Sequence, residues 1–222
     1  TCVTRIINGL IPHFYEGKMS GQVLIDGVDI KSVQPHEFSD KIGSVFQDPR
    51  SQFFSLDTDS EIVFGMENKG ITYHKMRERY EDTVKELHIE ELKNRKIFDL
   101  SGGQKQIVAF ASVYALHPDI YVLDEPTSNL DSDAIEELRR LLQYIKSQGK
   151  TILISEHRLY FLRDIADRIV VMEHGRKVGE WENAEFKKMG EERYHAMGLR
   201  SFYPTKFTLS CDVKVEQKNK VP

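Results

Sequence analysis

The sequence predicts an α/β fold, a mainly parallel sheet with flanking helices and an inserted helical lobe. Three observations predict it. Ile120-Tyr121-Val122-Leu123 is an uninterrupted apolar run of the kind found in strands buried on both faces. After it, Asp133 to Gln148 carries Ile135, Leu138, Leu141, Leu142 and Ile145 on one helical side and stops at Gly149, where Thr151-Ile152-Leu153-Ile154 begins a second strand. Strand, helix, strand in that order is a parallel crossover. Finally, from Tyr73 to Leu92 the apolar residues Met76, Tyr80, Val84 and Leu87 recur every three or four positions among charges, as on a half-exposed helix of a separate lobe.

The other elements follow along the chain. Val3, Ile6, Ile7 and Leu10 have helical spacing, so Cys2 to Leu10 is predicted as a helix that begins at or before residue 1 and is closed by Pro12. Val23-Leu24-Ile25 is a strand entering a hairpin-type turn at Asp26-Gly27, and Ile42 to Phe46 is another that ends at Gln47. Ser101 to Gly103 introduces a helix over Gln104 to Leu116, stopped by Pro118. Ile169 to Met172 with the Gly175 turn forms a late hairpin, and the chain from Lys206 onward is polar, a linker or tail.

A length of 222 residues suits one domain with a smaller lobe, and 40% hydrophobic with 30% charged residues is ordinary globular composition. The formal net charge of -4 lacks the basic footprint of a sequence-independent nucleic-acid binder. The longest apolar runs, Ile120 to Leu123 and Ile169 to Met172, fall far short of the roughly 20 residues that cross a bilayer. Membrane attachment is therefore expected to come through a partner. Cys2 and Cys211 have no metal or disulfide spacing and read as unpaired packing residues in a reducing compartment. The first residue is Thr1 rather than Met, with no signal-like segment after it, and the chain reads as a fragment.

The candidate site residues cluster at element ends. Leu100-Ser101-Gly102-Gly103-Gln104 heads a helix, where two glycines let backbone N–H groups approach an anion, Ser101 adds a hydroxyl and the helix N-terminus adds partial positive charge. A plain serine N-cap is the simpler reading of the same residues. Asp124-Glu125 ends the apolar strand at the carboxyl edge of a parallel sheet, the edge at which open α/β folds bind ligands. There Asp124 is suited to Mg²⁺ and Glu125 to polarising a water that attacks a γ-phosphate, although strand-end acids are often only solvated. Pro126-Thr127-Ser128-Asn129-Leu130-Asp131 follows at once. His157 leaves the next strand at the same edge, and Gln47 at the end of Ile42 to Phe46 offers an amide to metal or water.

Taken in order, Gln47, Leu100 to Gln104, Tyr121 to Glu125, Ser128 to Asp131 and His157 closely resemble the nucleotide-binding domains of ABC transporters, across nearly the whole chain. The resemblance implies a P-loop NTPase-type fold, with ATP and Mg²⁺ as ligands. It implies that Gln47 is the Q-loop glutamine, Leu100 to Gln104 the signature motif that reaches the ATP of a partner domain, and Ile120 to Asp124 the Walker B strand. Glu125 is then the catalytic glutamate, Asp131 the D-loop aspartate and His157 the switch histidine. Thr1 resembles the Mg²⁺-binding hydroxyl residue that closes the phosphate loop. The glycines and lysine of that loop, the strands before it and the adenine-stacking aromatic are not in this stretch, which alone is expected to bind ATP poorly and to be inactive. The implied domain covers residues 1–205, with the helical lobe at about 48–115, and 206–222 is the linker or tail.

Phe46 to Phe54 and Glu156-His157-Arg158-Leu159 look like the ATPases of energy-coupling-factor importers, which take up vitamins or metal ions, and Asn8 to Pro12 is similar to the first half of tandem two-domain ATPases. The implied partners are a second ATPase domain, separate or on the same chain, and a transmembrane transporter subunit, at the cytoplasmic face of the membrane. Phe53 and Phe54 lie where the family touches that subunit, or else pack within the helical lobe. Where the family commonly has a basic residue after Gln104-Lys105-Gln106, this chain has Ile107. A soluble ABC ATPase acting on ribosomes or DNA is the alternative. The lack of a long coiled-coil insertion between Gln47 and Leu100, and of a basic arm, argues against it.

Overall fold

The computed structural model describes residues 2–200; Thr1, Cys211 and the polar stretch 206–222 lie outside the described residues. The first helix, α1 (Cys2–Ile7), ends where Gly9 turns into the left-handed region at φ 68° and donates its N–H to the Ile6 carbonyl. The predicted helix to Leu10 therefore stops at Gly9 rather than at Pro12, because a left-handed glycine closes a helix at little cost. A separate turn, α2 (Leu10–His13), follows. Thr4 is the buried residue of α1. Cys2, two positions away and so nearly opposite on the helix, is free and exposed rather than packed, and Val3 is exposed as well.

β1 (Leu24–Ile25) and β2 (Val28–Asp29) form the predicted hairpin, with Asp26 and Gly27 both at positive φ, as a two-residue turn of the I′ type requires. β3 (Ile42–Val45) comes next. Three helices follow it. α3 (Thr58–Asn68) is capped by the Asp57 carboxylate, which accepts from the Ser60 N–H. α4 (Tyr73–Glu86) ends short of the predicted Leu92, because His88 turns to φ 54° and Ile89 and Leu92 then reach the core from a short 3-10 turn. α5 (Gly102–Tyr114) is buried from Gln106 onward, apart from the half-buried Ser112.

β4 (Ile120–Asp124), α6 (Ser132–Ser147) and β5 (Thr151–Ser155) make the parallel crossover. The sheet order is β3-β4-β5, parallel throughout. The central strand β4 is buried, while Ile152 and Ile154 on β5 are half-buried. After α7 (Leu159–Leu162), the hairpin of β6 (Arg168–Glu173) and β7 (Arg176–Glu182) packs with α8 (Asn183–Phe186) and α9 (Glu191–Ala196) around Leu159, Ile169, Val171, Phe186 and Tyr194.

One apolar cluster joins the helices to the sheet. It runs from Ile62 and Met66 on α3 and Val84 on α4, through Ile107, Val108, Phe110 and Ala111 on α5, to Tyr121 and Leu123 on β4 and Leu138 and Leu142 on α6. Ile107, which follows Gln104-Lys105-Gln106, is buried in this cluster. α5 is the shared wall. The strands it helps to bury are those whose ends carry the candidate site.

Candidate functional site

Three parallel strands deliver three loops to one edge. Gln47 follows β3, Asp124-Glu125 ends β4 and His157 follows β5, with Val45 opposite Leu123 and Asp124 opposite Ser155. At that edge Glu125 is approached from both sides: Gln47 Nε2 donates to its Oε2 at 3.0 Å, and His157 Nε2 lies 3.2 Å from its Oε1. The Glu125 side chain is 21% exposed and that of His157 78%. A carboxylate with both oxygens engaged, yet still open to solvent, is oriented without being sealed off.

The backbone at Glu125 is unusual. Its φ of 46° is left-handed, which costs a non-glycine residue on the order of 1–3 kcal/mol and persists only where the surroundings enforce it. The enforcing bonds are local: the Glu125 N–H donates to the Ser155 carbonyl at 2.8 Å, and the Ser128 N–H donates to the Glu125 carbonyl at 3.1 Å. Asp131, at the end of the same loop, caps α6 by accepting from the Ala134 N–H at 2.9 Å.

Asp124 is buried beside this group. Gln47 donates through Nε2, which leaves its amide oxygen for another ligand. Oxygen donors of this kind suit Mg²⁺. Among the described residues, however, no group of three or more His, Cys, Asp or Glu side chains is arranged to hold a metal ion. One buried carboxylate beside an amide oxygen is compatible with Mg²⁺, which is usually bound by one or two carboxylates together with phosphates and water.

Ser101 to Gln104 form a second, separate group at the head of α5. Ser101 Oγ accepts from the Gln104 N–H at 3.2 Å while Gln104 Oε1 accepts from the Ser101 N–H at 3.0 Å, a reciprocal capping box. Both readings of the serine are compatible, because the Oγ that accepts in the cap still has its own proton to donate outward. The glycines also have a steric reason. A Cβ at Gly103 would stand 2.7 Å from Ala134 Cβ, and one at Gly102 would stand 3.3 Å from the Asn129 carbonyl oxygen. Among the described residues no hydrogen bond links this group to Gln47, Glu125 or His157. Thr1 lies outside the described residues.

A family model for ABC transporters matches residues 1–128, more than half of the chain. The chain belongs to the ABC transporter family. A Treponema denticola protein named as an ABC transporter ATP-binding protein is 48% identical over the whole chain, and a second of the same name and organism is 42% identical over 91% of it. The chain spans 44% and 41% of the lengths of these two relatives. Among solved structures, CbiO1 from Clostridium perfringens, described as part of the ABC transporter complex CbiONQ, aligns with a TM-score of 0.75 at 31% identity over 90% of this chain and 78% of its own. The ATP-binding cassette MJ0796, a dimer in a post-hydrolysis state with ADP and Pi, aligns with a TM-score of 0.69 at 26% identity over 82% of this chain and 79% of its own.

In this ABC domain, two side chains that sequence reasoning missed hold the loop after Gln47. Gln52 Oε1 accepts from the Phe46 N–H at 3.3 Å and Gln52 Nε2 donates to the Ala109 carbonyl of α5 at 3.4 Å. Glu61, 2% exposed on α3, accepts from the N–H groups of Phe54 and Ser55, both at 2.9 Å. The sequence carries little signal for it, since Glu61 follows the polar run Asp57 to Ser60 and stands just before Ile62-Val63-Phe64. The two phenylalanines divide: Phe53 packs against the core, while Phe54 is 74% exposed and stacks on Phe64 at 4.9 Å. Leu56 and Phe98 are exposed nearby, their segments joined by the Ile97 N–H to the Leu56 carbonyl. Replacing Glu61 by alanine strands two amide donors and is expected to cost about 2 kcal/mol of local stability. Amide exchange at Phe54 and Ser55 should then rise roughly thirtyfold, with little change in α6.

Proposed function

We propose that this chain is the core of an ATP-binding and ATP-hydrolysing subunit that energises an ABC importer, of the energy-coupling-factor type for vitamins or metal ions. The observation that carries the reading is the Glu125 carboxylate held between Gln47 and His157 at the carboxyl edge of the sheet. In this reading Glu125 takes the hydrogen bond of the attacking water and draws off its proton, and His157 steadies Glu125 and the γ-phosphate side of the site. Asp124, Gln47 and the Thr1 hydroxyl would hold Mg²⁺, which would neutralise charge on the phosphates. Ser101 offers its hydroxyl and Gly102 and Gly103 their helix-end N–H groups to the ATP of a partner domain, Gln104 holds the cap that presents them, and Asp131 belongs to that same interface.

The importer type is supported by the likeness to CbiO1 and by the Phe46 to Phe54 and Glu156 to Leu159 segments. A second ATPase domain as partner is supported by the dimeric form of the MJ0796 cassette. Exposed Phe54, Leu56 and Phe98 suit a docking surface for a transmembrane subunit. Among the described residues no helix is long and apolar enough to cross a membrane. In this reading the domain sits at the cytoplasmic face against that subunit. The ATPase domain takes in residues 1–205, with a helical lobe at about 48–115, and residues 206–222 serve as linker or tail.

The test is ATP turnover by the full-length protein, alone, with candidate membrane partners in proteoliposomes, and with ribosomes or DNA. Stimulation of severalfold or more by a membrane partner is the expected result. Stimulation by ribosomes or DNA alone would overturn the importer reading and leave a soluble ABC ATPase.

A further inference from the structure

The ladder between β4 and β5 gives out at the point where the site begins. Its last bond runs from the Glu125 N–H to the Ser155 carbonyl, and beyond it the two loops part. His157 is 78% exposed at its side chain, so its distance from Glu125 depends largely on where the two loop backbones stand. Something must hold the two backbones together just past the ladder.

Glu156 does so with both oxygens. Its Oε1 accepts from the N–H groups of His157 at 2.8 Å and Arg158 at 3.0 Å, which fixes the turn that carries the histidine. Its Oε2 crosses to the other loop and accepts from the Thr127 hydroxyl at 2.6 Å and the Thr127 N–H at 3.3 Å. Thr127 is fully buried and stands two positions after Glu125. Arg158 adds a longer clamp on the same loop, with NH1 3.4 Å from the Leu130 carbonyl and NH2 3.5 Å from that of Ser128. The outcome is a closed ring: Glu125 to His157 through their side chains, His157 to Glu156 along the backbone, Glu156 to Thr127 through the carboxylate, and Thr127 back to Glu125. A carboxylate that accepts several N–H and O–H bonds at once makes a stiff link.

We propose that Glu156 is a positioning residue for ATP hydrolysis, which acts through Thr127 to set the distance between His157 and Glu125. The Glu156 oxygens and the Thr127 hydroxyl are engaged with each other and with backbone N–H groups of the two loops. Their loss leaves ATP binding alone and slows the step that needs His157 and Glu125 in register, a geometric fault of the kind that costs one to two orders of magnitude in rate. The inference rests on the ATPase reading given above.

The experiment compares wild type, Glu156→Ala, Thr127→Val and the double variant in the full-length protein. Thr127→Val keeps side-chain shape and removes the shorter bond of the tether, the hydroxyl at 2.6 Å, leaving the backbone N–H contact at 3.3 Å and the turn at His157 capped. Thr127→Val is expected to lower kcat about tenfold with KM for ATP and Tm little changed, Glu156→Ala to lower kcat at least as much with some fall in Tm from the donors it strands, and the double variant to be no slower than Glu156→Ala. Unchanged kcat in Thr127→Val, effects that multiply in the double variant, or a rate loss in Thr127→Val that follows a fall in its Tm would overturn the proposal. Amide exchange at residues 157 and 158 without nucleotide supplies a second readout, expected to quicken in Thr127→Val. If the wild type hydrolyses no ATP, the ATPase reading falls by itself. Unaltered exchange in Thr127→Val would then overturn the tether as well.

Discussion

Replacing Glu125 by glutamine is expected to cut ATP turnover of the full-length protein by a hundredfold or more while ATP binding is retained. Loss of a positioned base typically removes a factor of 10² to 10⁴. Glutamine keeps the shape of the side chain, and its oxygen can still accept from Gln47 Nε2 or His157 Nε2, so the site should stay assembled. What is lost is the ability to take a proton. Steady-state phosphate release paired with equilibrium binding of ATP separates the two quantities. Turnover within a fewfold of wild type would remove Glu125 from the chemistry and leave its left-handed backbone without a functional reason.

The largest effect on stability is expected from Phe110→Ala. Phe110 is fully buried in α5, its ring stacks on Tyr121 of β4 at 6.1 Å, and it belongs to the cluster that joins the helices to the sheet. Truncating a buried phenylalanine costs about 3–5 kcal/mol, part transfer and part cavity. For a domain of this size that corresponds to a fall in Tm of roughly 6–20 °C. Calorimetry of the full-length protein checks it. Because α5 also carries Ser101 to Gln104 at its head, the variant should lose activity with temperature sooner than wild type.

The elements that sequence reasoning captured are those in which one local pattern coincides with one structural role. β4 is an unbroken apolar run and is buried, and the apolar stripe of α6 from Ile135 to Ile145 is the face that packs. Gln47, Glu125 and His157 were legible for a related reason, since parallel strands bring their carboxyl ends to a common edge once the crossover is recognised. α3 went unread because Ile62, Val63 and Phe64 are contiguous and blur helical spacing, although its Asp57 cap stood in the sequence. The early ends of α1 and α4 lie in single left-handed residues, Gly9 and His88, which periodicity does not register. The supports of the site were least legible. Gln52 to Ala109 and Glu156 to Thr127 are bonds between distant positions, and no spacing along a chain announces which buried carbonyl or hydroxyl a side chain will meet.

The missing Cβ at Gly103 has a mechanical consequence. With only 2.7 Å available between that position and Ala134 Cβ, the heads of α5 and α6 rest on each other with almost no compressible side chain between them. Two bodies in such contact transmit displacement with little loss. A tilt of α5 toward the sheet therefore bears directly on the first turn of α6, on the Asp131 carboxylate that caps it, and so on the loop that runs back to Glu125.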